Sequence, residues 1–145
     1  MSHHLVVRVV SKLLIPFILL FGLYVQFHGD FGPGGGFQAG VIFAAAFILY
    51  AIVFGLDNAR KVAPDVIVRC GMAAGVLLYG FTGVASMVLG GNYLDYSVLA
   101  STPVGGQHLG ILLVELGVGI TVASVMVAIF FNFAGRDHKL DKLEE

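Results

Sequence analysis

Long apolar stretches alternate with short polar or glycine-rich ones along the whole chain. The apolar stretches run over about 9–27, 37–56, 66–89 and 107–133. Each holds the roughly 20 residues that a hydrocarbon core of about 30 Å demands of a helix. The pattern predicts four transmembrane helices in one membrane domain covering residues 1–145. Arg8 and Lys12 flank the start of the first span, which resembles a signal peptide but lacks a small-x-small cleavage site. It reads as an uncleaved span, with Pro16 placed to kink it.

Between the first two spans, His28 to Gly36 is too rich in glycine and proline for regular helix, and an irregular segment is expected there. Asp57 to Asp65 reads as a short polar loop, and Gly90 to Gly106 as a longer one without Lys or Arg. Residues 135–145 read as a short, charged, soluble tail. All eight basic residues fall at the start of the first span, between the second and third (with Arg69 just inside the third), or after the fourth. The two opposite connections have none, which predicts cytoplasmic termini.

Composition turns this pattern into a class. Apolar residues make up 58% and charged residues 12%, where soluble domains carry about a quarter charged. The 20 glycines show no G-X-Y period and suit closely packed membrane helices. Gly40, Ala44, Ala51 and Gly55 fall on one stripe, Gly71 and Gly75 form a G-x-x-x-G pair, and Gly106, Gly110 and Gly117 share a face. The net charge of −1 says little about partners, and the absence of a basic stripe or nucleic-acid motif argues against nucleic acid. Cys70, the single cysteine, is expected to be a buried, inert thiol.

Glu115 is the acidic residue that lies well inside a span, roughly 10 Å below the outer surface when counted from His108 at about 1.5 Å per residue. A charge at that depth needs a partner, a hydrated cavity or a proton. Two readings follow: a way-station for a proton or sodium ion, or a hydrogen-bonded Glu that fixes a helix interface. His108 lies two turns away on the same face, either as an outer proton relay or as an interfacial histidine bonded to a loop. His28 and Asp30 share the outer side.

The run Gly32-Pro33-Gly34-Gly35-Gly36-Phe37 lacks the Gly-Lys-Ser/Thr ending of a phosphate loop. It reads as irregular backbone whose N–H groups, at the start of the second helix, can attract an anion or carboxylate, or as a flexible turn. Tyr79, Thr82 and Ser86 are placed to hydrogen-bond neighbouring helices, and Arg69 to reach the interface as an anchor. The sequence offers no nucleophile set, metal cluster or cofactor signature, so no enzyme activity, metal or cofactor is expected.

The stretch His28-Gly29-Asp30-Phe31-Gly32-Pro33-Gly34-Gly35-Gly36-Phe37-Gln38-Ala39-Gly40, with Val41 to Tyr50, resembles the MnhB-like family of small membrane subunits in Mrp-type sodium/proton antiporters. Gly110 to Gly119, around Glu115, is similar to that family's second signature. The resemblance implies an accessory component of a multi-subunit complex in the bacterial inner membrane, exchanging cytoplasmic sodium for external protons. It implies partners similar to the proton-pumping subunits of respiratory complex I. It marks Pro33, Gly34, Gly35, Gly36, Phe37 and Gly40 as a structural signature, and leaves Glu115, His108, His28 and Asp30 as candidates for an ion or proton path. A membrane component of a hydrogenase-type complex and a purely structural spacer are the alternatives.

Overall fold

Apolar runs in lipid must satisfy their backbone groups internally, and helices do this within one segment. A computed structural model of the chain describes residues 2–29 and 34–144, and the side chains of 5–29 and 34–136. The described residues form helices and no strand. Helix α1 spans Ser2–Phe27, α2 Gly36–Phe54, α3 Leu56–Val62, α4 Asp65–Val88 and α5 Pro103–Glu144, with a single 3₁₀ turn at Tyr96–Val98. Helices α1, α2, α4 and α5 are each long and apolar enough to cross a membrane.

Helix α5 is the hub. α4 packs along one of its sides and α2 along another, while α1 lies mainly on α2. Two glycines on α5 set these approaches. A Cβ on Gly40 of α2 would stand 2.6 Å from the carbonyl oxygen of Gly119, and a Cβ on Gly75 of α4 would stand 2.6 Å from that of Gly117. Residues two apart on a helix point to nearly opposite sides, so one short glycine pair receives a neighbour on each flank. The remaining faces carry large apolar side chains such as Leu77, Phe81 and Val88, which suit lipid or a partner protein.

Several expectations change. The Asp57–Asp65 segment is mostly helix, not loop: α3 starts after Gly55, whose φ of 94° breaks the chain direction, and stops before Pro64. Asp57 in its first turn and Arg60 and Lys61 in its last match the helix dipole. Gly55 is exposed and terminates α2, so it leaves the buried stripe of Gly40, Ala44 and Ala51. The backbone of α5 stays helical to Glu144, beyond the apolar run that ends at Arg136. Cys70 is exposed, because the face of α4 that meets α5 is taken by Val68, Gly71 and Gly75. Thr82 and Ser86 donate to the carbonyls of Leu78 and Thr82, one turn back in their own helix, and not to neighbours.

At one end of the bundle, Lys12 of α1 lies over the ring of Phe54, which closes α2. Arg60 of α3 reaches the side of α5 near the same end, its Nη2 donating to the carbonyl oxygen of Phe131 at 3.3 Å. The Gly90–Gly106 connection and the glycine-rich segment close the opposite end.

Candidate functional site

Glu115 projects from α5 towards the junction between α1 and α2. Three glycines of that junction close on it. A Cβ on Gly29, just past the end of α1, would stand 2.5 Å from Oε2 of Glu115. A Cβ on Gly35 would stand 2.8 Å from Oε1, and one on Gly36 would run into the backbone carbonyl of Glu115. A Cβ at Gly36 would push the segment off α5, and one at Gly29 or Gly35 would displace the Glu115 side chain.

Gly35 is the residue that caps α2, and it has no side chain to satisfy the first N–H groups of the helix. The Glu115 carboxylate occupies the space where a capping side chain would begin. A carboxylate at a helix start gains about 0.3–1 kcal/mol from the dipole, and up to about 2 when partly buried. Glu115 is half-buried. The Glu115 carboxyl group thus lies beside the helix start where the sequence suggested that an anion or carboxylate could be attracted. Gly34 adopts a φ of 154°, a conformation that strains any residue with a Cβ, and packs against Val25.

The other candidates divide. Gly34, Gly35, Gly36 and Gly40 lie at or just below Glu115, on the side of α2 that meets α5 and α1. Phe37 points outward and is 63% exposed, so it takes no part in the clasp. His28 precedes Gly29 and stacks its exposed ring on Tyr24, with centroids 4.8 Å apart. His108 is exposed on α5, nearer its start. Asp30 and Pro33 lie outside the described residues. Among the described residues, no cluster of three His, Cys, Asp or Glu side chains stands at metal-binding spacing.

One polar residue escaped the sequence reading. Gln26 of α1 is buried, with its Oε1 only 2.6 Å from where a Cβ on Gly119 would stand. Gly119 is one turn below Glu115. A lone amide in an apolar run was the available signal, but helix rotation decides whether such a group faces lipid or core.

The Gly90–Gly106 connection packs on the start of α5, with the Tyr96 side chain against Gly110 and the Tyr96 carbonyl oxygen against Gly106. Burial pushes the Tyr96 phenol above its usual range, with Tyr79 and Tyr93 adding to the effect. Asp95 accepts from the Ser97 hydroxyl at 2.5 Å and from the Ser97 backbone N–H at 3.2 Å, and these bonds hold its carboxyl below the usual value of 3.8.

A clasped membrane carboxylate at a glycine-built helix start can be compared with known proteins. Residues 6–128 match the family model described as "Domain related to MnhB subunit of Na+/H+ antiporter". The chain belongs to the MnhB family. Its relatives include proteins named "Putative antiporter subunit mnhB2" from Staphylococcus aureus strains Newman, JH1 and COL. Each is 36% identical over 137 residues, covering 92% of this chain and 96% of the relative. The MnhB match takes in both the glycine-rich junction and Glu115. The chain thus belongs to a family described by an antiporter subunit, and its four long helices are apolar enough to cross a membrane.

Proposed function

We propose that the chain is a non-catalytic, accessory subunit of a multi-subunit Na+/H+ antiporter, required for assembly, with Glu115 as a station on an ion or proton path. The observation that carries this reading is the clasp. Glu115 is held by Gly29, Gly35 and Gly36 at the positive end of α2, which this reading puts in the outer part of the membrane. That place can hold a negative charge, or release one, at less cost than bare lipid would allow. His28 and His108 lie on the outer side of it, where protons would enter. The family description, naming a Na+/H+ antiporter, favours this assignment over a hydrogenase-type complex.

The gathering of Arg8, Lys12, Arg60, Lys61 and Arg136 at one end supports an orientation with both termini in the bacterial cytoplasm. The large exposed apolar faces of α1 and α4 are the surfaces offered to partner proteins and lipid.

A structural spacer is the second reading, favoured by the fit of Gly36 against the Glu115 backbone. Glu115→Gln and Glu115→Ala, built into the complete complex, separate the two. The path reading expects normal complex recovery and at least tenfold slower sodium-driven proton movement in vesicles for both variants. Full exchange in both, with normal assembly, would leave only the spacer.

A further inference from the structure

Thr82 and Ser86 are buried and bond back to carbonyls of their own helix, but Gln26 does not find an equivalent partner. Its Nε2 is buried and has no acceptor among the described residues, in a residue only 5% exposed. An unmet buried donor costs about 1–3 kcal/mol, and in native proteins it points to a bound water, an ion or a partner group. The surroundings of Gln26 narrow that choice.

The carboxamide lies in the notch left by Gly119, and the carbonyl oxygen of Gly36 is 3.2 Å from the point a Cβ would occupy there. Gly36 also touches Glu115, so the same backbone borders both side chains. Glu115 is four residues before Gly119, a rise of about 6 Å along α5. A water bonded at about 2.8 Å on each side covers most of a separation of that order. Gln26 also lines a mostly apolar cavity of about 400 Å³ that runs past Leu116, Gly119 and Ser124, so the amide is not packed in on that side. A buried water needs two to four polar partners. The amide N–H, the carboxylate and the Gly36 carbonyl supply them.

We infer that Gln26 positions a water molecule against the inner side of Glu115, its Nε2–H donating to the water and the water donating to the carboxylate. Gln26 is thus a positioning residue, and Gly119 makes room for its carboxamide beside the water. The inference rests on the reading of Glu115 as a path residue and extends that path one turn towards the cytoplasm.

The test uses the assembled complex in proteoliposomes. Gln26→Met keeps side-chain length and removes the donor. It should leave complex recovery unchanged, slow sodium-driven proton movement at least tenfold, and shift the Glu115 carboxyl band in infrared difference spectra. The band is assigned by its loss in Glu115→Gln. The double variant should be no slower than Glu115→Gln alone. Gly119→Ala, which fills the notch, should reproduce the Gln26→Met band shift. Normal exchange and an unmoved band in Gln26→Met, with Glu115→Gln impaired, overturn the water site and leave the path reading standing. Normal exchange in both variants overturns both. Loss of complex in step with loss of activity in Gln26→Met makes Gln26 a packing residue and overturns the inference.

Discussion

Gly75 and Gly117 meet backbone to backbone. A Cβ on Gly75 would stand 2.6 Å from the Gly117 carbonyl oxygen, and one on Gly117 would stand 2.9 Å from the Gly75 carbonyl oxygen. Neither neighbour is a flexible side chain that could swing aside. Gly75→Val should force α4 off α5, costing about 1–3 kcal/mol as overpacking and lowering the midpoint of thermal aggregation of the detergent-solubilised complex. Gly80→Ala is the control on the same helix, since nothing lies within 4 Å of a Cβ there. It should be neutral or slightly stabilising, because Ala favours helix over Gly.

The clasp around Glu115 predicts an order among its glycines. At Gly36 the obstacle is the Glu115 backbone, which cannot yield without moving α5. At Gly35 it is the end of the Glu115 side chain, which can rotate away. Gly36→Ala should therefore abolish complex recovery or reduce it several-fold. Gly35→Ala should leave recovery near normal but displace the carboxylate, slowing exchange by about tenfold, the equivalent of about 1.4 kcal/mol in barrier height. Recovery measured by size-exclusion chromatography and exchange measured in vesicles check the two together. Equal effects of both variants on both readouts would contradict this geometry.

The four spans and Glu115 were legible in the sequence because lipid imposes a simple rule on each. An apolar run of sufficient length must be helix, and a lone carboxylate within it must be accounted for. The resemblance of the Pro33–Gly40 stretch pointed to the family without any contact, and the match over residues 6–128 agrees. What stayed hidden depends on helix rotation. Cys70 faces outward and Gln26 inward, yet both sit in apolar runs with no local mark of direction. Helix α3 was hidden for a different reason: seven residues give too little periodicity to separate helix from loop. The clasp itself joins residues some eighty positions apart, and only the packing of α2 on α5 brings them together.

Asp95 gives the Gly90–Gly106 connection a pH dependence. Its carboxyl is held below the ordinary value, first by the Ser97 hydroxyl and then by the Ser97 backbone N–H. A folded-state value below the unfolded one means that the turn is stabilised above pH 3.8 and loses that support as pH falls through the lowered value. Hydrogen exchange at the Ser97 amide should be slower in the native chain than in Asp95→Ala near neutral pH. The two should converge once the native carboxyl is protonated. A difference that persists unchanged into acid would show that the turn does not depend on the ionised carboxylate.

Arg60 ties α3 to α5 through its guanidinium, which bonds the Phe131 carbonyl and lies 5.8 Å from the centroid of the Phe131 ring. Its Nε is 3.9 Å from Asp65, too long for a hydrogen bond, so the pair with Asp65 contributes little. A bond from a charged donor is worth about 1.5–3 kcal/mol when shielded. The side chain is 39% exposed, so screening should bring the loss in Arg60→Ala nearer about 1 kcal/mol. Lysine keeps the charge but lacks the planar fork that reaches the carbonyl while resting on a ring. Arg60→Lys should therefore lower the thermal midpoint of the solubilised complex almost as far as Arg60→Ala does. Asp65→Asn should leave it close to the native value. A full rescue by lysine would mean that charge at the membrane surface, and not the contact with Phe131, is what Arg60 supplies.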